Sequence, residues 1–215
     1  MTTESIACES LDGLALEAEL DAPETPGALL VLCHPHPQMG GTMRAPLLLA
    51  LSDALVAKGW AVLRFNFRGI GKSQGDSGTR IDEVADARGA IDTGRARLPG
   101  LPFAIAGWSF GAAVAVRAAT EVTDLAACVG IAPAVRERPG TTAGLPDPGV
   151  IELGIPTLFV CGSNDELVSE EDARAWVEQV PAARLLVLKG ANHFFWGKYE
   201  DLSARVIGFL NECLG

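Results

Sequence analysis

The chain has 215 residues, 48% of them hydrophobic, enough to bury a full core, so a single domain over residues 1–215 is expected. Its formal net charge of −10 excludes nucleic acid and anionic membrane surfaces as natural partners, since both would repel it, and favours a small neutral molecule. Five scattered cysteines without a CxxC pair, a start without signal-peptide character and no apolar run of bilayer length predict a reduced, cytoplasmic protein.

Residues 6–20 hold the turn dipeptide Asp12-Gly13 between two short stretches, the second alternating as Leu14, Leu16, Ala18 and Leu20, which predicts an opening hairpin. Residues 28–33 are apolar without alternation, the pattern of a strand covered on both faces. His34-Pro35-His36-Pro37-Gln38-Met39-Gly40-Gly41 follows, too rich in proline and glycine for anything but a loop. Pro46 suits the first turn of a helix that carries Leu47, Leu48, Leu51 and Leu55 and ends before Gly59. Another buried strand is expected over residues 61–65, then a glycine-rich loop over 66–78 containing Arg68-Gly69-Ile70-Gly71-Lys72-Ser73. A helix on the stripe Ile81, Val84, Arg88 and Ile91 closes near Pro99-Gly100.

The next unit pairs a short apolar strand, residues 102–106, with a proline-free, Ala- and Val-rich helix over 110–120. Between them lies Gly107-Trp108-Ser109-Phe110-Gly111. A GxSxG sequence at a strand-to-helix turn is a nucleophile elbow, in which the glycines relieve crowding and the turn lifts the serine hydroxyl above the sheet edge. Ser109 is the candidate nucleophile; the alternative is that Gly107 and Gly111 serve only a close crossing and Ser109 is an inert turn residue.

Residues 126–131 predict a further strand. Between Pro133 and Pro156 the prolines and glycines, among them Pro139, Gly140, Gly144, Pro146, Pro148 and Gly149, leave no room for a large helical lid. Residues 157–161 resume the sheet. Ser169-Glu170-Glu171-Asp172 reads as a capped helix start, continued by Trp176, Val177 and Val180 up to Pro181. A last strand over 184–188 and an amphipathic helix on Leu202, Val206, Phe209, Leu210 and Cys213 close the chain. Strands alternating with helices throughout predict an α/β fold around a mostly parallel sheet.

Open α/β sheets carry their sites beyond the carboxyl ends of strands. Of three histidines, His193 lies there, after the last strand; Asp165 lies after the penultimate one, with Glu166 beside it as an alternative acid. A serine hydroxyl needs an imidazole to take its proton, and the imidazole needs a carboxylate on its other nitrogen, so Ser109, Asp165 and His193 form the expected catalytic set. An oxyanion hole takes two backbone amides. Phe110 supplies one; in the Pro35-His36-Pro37 run only His36 has an N–H, which makes it the expected second donor, with Gln38 next in line. His34 and His36 have an alternative reading as metal ligands, though no third histidine lies nearby, and no metal or cofactor is expected. Trp108, Phe110, Phe194, Phe195 and Trp196 surround these positions; some belong to the core, and Trp108, Phe194 and Trp196 are the candidates for contact with substrate in an apolar acyl pocket.

With these residues in hand, the chain resembles the α/β-hydrolase superfamily over nearly its whole length. Cys33-His34-Pro35-His36-Pro37, Gly40-Gly41-Thr42-Met43 and Arg68-Gly69-Ile70-Gly71-Lys72-Ser73 are similar to a group of compact bacterial serine hydrolases related to dienelactone hydrolases and esterases. The resemblance implies an eight-stranded sheet with its second strand antiparallel, helices on both faces, and hydrolysis of esters through an acyl-enzyme, with Ser109, Asp165 and His193 in the triad positions. His34-Pro35 stands where the family has an HG loop, and serine stands at the elbow where many dienelactone hydrolases have cysteine. Arg68 is then expected to brace its loop by bonding nearby carbonyls. A serine carboxylesterase, acting also on thioesters, is the leading expectation; a serine peptidase or amidase and a non-catalytic binding protein of the same fold are the alternatives.

Overall fold

The computed structural model describes residues 2–77, 82–136 and 144–214. Eight strands form one sheet: β1 (Thr2–Glu9), β2 (Ala15–Ala22), β3 (Ala28–Cys33), β4 (Trp60–Phe65), β5 (Phe103–Trp108), β6 (Ala127–Ile131), β7 (Thr157–Gly162) and β8 (Ala183–Leu188). Their spatial order is β1-β2-β4-β3-β5-β6-β7-β8. β2 pairs antiparallel with both β1 and β4, and the remaining neighbours are parallel. The helices are α1 (Pro46–Val56), α2 (Asp82–Arg97), α3 (Phe110–Ala119), α4 (Glu170–Val177) and α5 (Tyr199–Leu214).

The unalternating apolar strands are explained by where their side chains go. Along β3, Leu29, Val31 and Cys33 enter a core shared with α2 and α3, while Ala28, Leu30 and Leu32 enter a second core shared with α1 and α5. Both faces are covered, so every position must be apolar. β2, at the margin, alternates instead, burying Leu16, Ala18 and Leu20. Four of the five cysteines, Cys8, Cys33, Cys128 and Cys161, are buried, and all five are free thiols.

Several local expectations are revised. The loop after β3 contains one 3-10 turn, Pro37–Met39, begun by Pro37 in its first position. α4 starts on the Ser169 cap but ends at Val177, short of Val180: the N–H groups of Gln179 and Val180 reach back only three residues, to Trp176 and Val177, which tightens the chain out of the helix. β5 runs on to Trp108, two residues past the expected end. Ile81, from the expected α2 stripe, and Pro139 and Gly140, from the segment before β7, lie outside the described residues; the described part of that segment forms no helix.

Arg68 braces its loop, but through carboxylates rather than carbonyls. Its Nη2 donates to Asp86 Oδ1 at 2.7 Å, its backbone N–H to Asp86 Oδ2 at 2.9 Å, and its Nη1 to Asp12 Oδ2 at 3.0 Å. The glycine-rich loop is thereby tied to α2 and to the opening hairpin. Burial pushes the Asp86 carboxyl above the usual range while Arg68 pulls it back, so the arginine makes this buried acid tolerable.

His34, at the end of β3, is wholly buried and joins two loops: its Nδ1 donates to Pro35 O at 2.7 Å and its Nε2 accepts from Phe67 N–H at 3.0 Å. Both ring nitrogens are occupied in the neutral form, so the side chain is committed to holding these loops together.

Two predictions follow from these buried groups. Asp86→Ala leaves the guanidinium with only half-exposed acids, Asp12 at 3.0 Å and Asp82 at 3.9 Å, and should lower the unfolding free energy by about 3 kcal/mol, read from urea denaturation; a loss below about 1 kcal/mol would show that Asp86 is not needed to hold this guanidinium. Burial pushes the His34 imidazole down to about 4, below its unfolded value near 6.5. On acidification the unfolded chain therefore takes up this proton first, and stability is lost as pH falls from about 6.5 to about 4, on the order of 3 kcal/mol in total. His34→Gln lacks the titration, so its stability should fall less between about pH 7 and about pH 4.5, by about 2 kcal/mol; parallel curves would contradict this.

Candidate active site

β5 runs straight into α3, and the joint is Ser109, with φ 56 and ψ −112. A positive φ costs a residue with a Cβ about 1–3 kcal/mol, so the surroundings must hold it. Ser109 N–H donates to Ile131 O at 2.8 Å, and its carbonyl accepts from Ala112 N–H at 3.1 Å and Ala134 N–H at 3.3 Å. The flanking glycines make the joint sterically feasible. A Cβ on Gly107 would lie 2.1 Å from Gly111 O, and one on Gly111 would lie 2.4 Å from His34 O and 2.5 Å from Cys33 O. Without side chains there, α3 folds back onto β5 and the end of β3 packs against the start of α3. The Ser109 hydroxyl is left at the carboxyl edge of the sheet, beside the loop that carries His36.

Two further strand ends bring the other expected residues to the same edge. The turn after β7 carries Asp165, whose side chain is completely buried. Asp165 Oδ1 accepts from the N–H groups of Leu167 and Val168, both at 2.8 Å, leaving Oδ2 for His193 Nδ1 at 2.9 Å. Burial alone would raise this carboxyl; the bonds from His193 and from the Val168 and Leu167 amides outweigh it and hold Asp165 below the usual carboxylate range. His193 Nε2 lies 3.2 Å from Ser109 Oγ. Glu166, the alternative acid, is exposed and lines the cleft instead.

The loop bearing His193 is fastened to the Asp165 turn, which fixes their separation. Asn164 N–H donates to Ala191 O at 2.9 Å, Ser163 N–H to Leu188 O at 3.0 Å, and Gly190 N–H to Ser163 Oγ at 2.8 Å. Trp108 is buried, and its indole N–H donates to His193 O at 3.1 Å. It borders the cleft while bracing the His193 loop from the α1 and α5 side.

Phe110 is the first residue of α3, so its N–H has no carbonyl one helical turn earlier and lies at the positive end of the helix. The His36 ring sits 5.2 Å from the Phe110 ring, and both residues line the same cleft as Ser109. Gln38, the other candidate, gives its N–H to His36 Nδ1 at 3.2 Å.

A cleft of about 900 Å³ opens over Ser109 and His193. Its mouth carries Phe194, Trp196, Met39 and Leu167, all exposed, with Trp196 at 67% and Met39 at 76%. Met39 and Leu167 are absent from the expected site; an apolar residue standing alone in a proline- and glycine-rich loop or beside the catalytic-type acid was the available signal. The cleft's two arginines are each engaged: Arg44 pairs with Glu17 and Glu19, and Arg136 with Asp172 at 2.5 Å. Among the described residues no group of three or more histidines, cysteines, aspartates or glutamates is arranged to hold a metal ion, and no helix is long and apolar enough to cross a membrane.

Residues 24–149, more than half of the chain, match the family model for serine aminopeptidase S33, Hydrolase_4. The chain is 30% identical over 200 residues to the uncharacterized protein RP471 of Rickettsia prowazekii, an alignment spanning 90% of this chain and 82% of that protein. Among solved structures it superposes on an α/β serine hydrolase homologue from Coxiella burnetii with a TM-score of 0.84 and 29% identity, over 99% of this chain and 98% of the other. It also superposes on XC6422 from Xanthomonas campestris, an α/β serine hydrolase without lid, with a TM-score of 0.86 and 26% identity, over 99% and 95% of the two chains. Fold, strand order and family match agree: the chain belongs to the Hydrolase_4 family, within the α/β-hydrolase superfamily.

Proposed function

We propose that the chain is a serine hydrolase of small, neutral carboxylic esters, and of thioesters by the same chemistry, with Ser109, His193 and Asp165 as its triad. The observation that carries this reading is the continuous line of contacts from Asp165 Oδ2 to His193 Nδ1, 2.9 Å, and from His193 Nε2 to Ser109 Oγ, 3.2 Å. An ionised Asp165 keeps the ring proton on Nδ1, so the Nε2 lone pair faces the hydroxyl.

Ser109 Oγ bonds to the acyl carbon as its proton passes to His193 Nε2. The negative charge that develops on the carbonyl oxygen is held by the N–H groups of Phe110 and His36. The intermediate collapses, the bond to the alcohol oxygen or thiol sulfur breaks, and His193 returns its proton to that leaving atom. Water then attacks the acyl-enzyme, His193 taking its proton and passing it to Ser109 Oγ as the acid departs. The sequence needs no cofactor or metal. The acidic surface and the engaged arginines of the cleft favour an uncharged substrate, and the free cysteines support a reducing, cytoplasmic setting.

The family's aminopeptidase description motivates a second reading, cleavage of aminoacyl amides. Such a site needs a desolvated acid for the substrate's ammonium group. In the cleft Asp165 is committed to His193, Asp172 is paired with Arg136 and Glu166 is exposed, so ester cleavage is the better-supported activity.

The test is a panel of 4-nitrophenyl esters beside aminoacyl 4-nitroanilides. Ester hydrolysis should dominate; Ser109→Ala and Asp165→Asn should each lower kcat by about 10⁴-fold or more. Equal rates for wild type and Ser109→Ala would overturn this reading, and where both equal the uncatalysed rate a non-catalytic scaffold is the one that remains.

A further inference from the structure

The geometry points to Phe194 and Trp196 as the seat for the alcohol half of the ester, and to a flat aromatic or arylmethyl alcohol as its occupant. This rests on Ser109 and His193 acting as proposed above. It also moves these two rings from the acyl side, where aromatic residues near the elbow are first expected, to the leaving-group side.

The placement follows from the proton's path. The departing oxygen must come within hydrogen-bond reach of His193 Nε2, so whatever the alcohol carries lies against the surface next to that imidazole. The surface there is Phe194, whose ring stands edge-on to the His193 ring at 5.6 Å, and Trp196, stacked on Phe194 at 4.8 Å with an interplanar angle of 15°. Phe194 also meets Trp108 edge-on at 5.9 Å, so it is held by both the imidazole and a buried indole and carries Trp196 on its own face.

The backbone holds the rings outward. Asn192 Oδ1 accepts from the N–H groups of Phe194 at 3.1 Å and Trp196 at 3.4 Å. Phe195, between them, has φ 53 and is wholly buried in the core under α1 and α5. With 195 pinned inward, 194 and 196 stand out together. Phe194 covers one face of the indole, and Trp196 remains 67% exposed at the mouth of the cleft. An aromatic alcohol gains stacking on such a surface beyond the burial that a saturated ring of the same size obtains.

Benzyl butanoate and cyclohexylmethyl butanoate test this, because they share an acyl group and carry alcohols of similar size. Wild type should prefer the benzyl ester in kcat/KM by roughly 3- to 10-fold. Trp196→Ala should bring the ratio close to one, and Trp196→Phe should retain most of the preference. The deficit should fall on formation of the butanoyl-enzyme, followed in single turnovers, since the alcohol has gone before that intermediate breaks down. An unchanged ratio in Trp196→Ala, with hydrolysis still dependent on Ser109, overturns the platform alone. A loss that falls equally on both esters through slower breakdown of the butanoyl-enzyme overturns it too, and returns the rings to the acyl side. Hydrolysis that survives Ser109→Ala overturns the underlying reading and the platform with it.

Discussion

The Ser109 hydroxyl faces His193 because the backbone beneath it is held in a conformation that a residue with a side chain avoids. Two missing Cβ atoms make that possible. Gly107 admits the return of α3 onto β5, and Gly111 admits the carbonyls of Cys33 and His34 against the first turn of α3. The second contact matters as much as the first, since it seats the end of β3, from which the His36 loop leaves, against the start of α3. One steric arrangement thus sets both where the hydroxyl points and how closely the end of β3 packs on the start of α3. The cost of the strained residue, about 1–3 kcal/mol, is offset by the two cores on either face of the sheet.

The remaining site residues are positioned by the same sheet but by weaker means. Asp165 and His193 stand on turns after adjacent strands, and hydrogen bonds between those turns hold them together. Asp165 is buried yet kept ionised, because each of its oxygens is assigned: Oδ1 to two backbone amides and Oδ2 to the imidazole. Trp108 belongs to the strand that leads into Ser109 and holds the loop of His193, so the two halves of the candidate site are joined through one buried indole.

Much of this was legible before any coordinates. Strands buried on both faces are uninterrupted apolar runs, and the residues that follow such runs stand at the sheet's carboxyl edge; that position for Asp165 and His193, with the GxSxG turn at Ser109, makes the candidate set readable from the sequence. What sequence reading misses depends on partners that come together only in three dimensions. Arg68 sits among glycines, and nothing local reveals that it meets Asp86 on α2 and Asp12 in the opening hairpin. The premature end of α4 turns on tightened hydrogen bonds after Val177, where the composition still reads as helix up to Pro181. The alternation of Phe194, Phe195 and Trp196 between surface and core is likewise set by a buried slot under α1 and α5 and by the Asn192 side chain. Three consecutive aromatics carry no sign of which faces inward.

The surface left around Ser109 is largely apolar and open, and its two arginines are already paired with carboxylates, which fits the proposed selection by shape and stacking more than by ion pairing. The proposed chemistry requires that the hydroxyl at this elbow be activated by the imidazole facing it. Incubation of the folded protein with a fluorophosphonate, followed by mass spectrometry of the intact chain and its peptides, measures that directly. One adduct on Ser109, lost in His193→Ala, is the predicted result; no adduct, or one that forms equally well without His193, would contradict it.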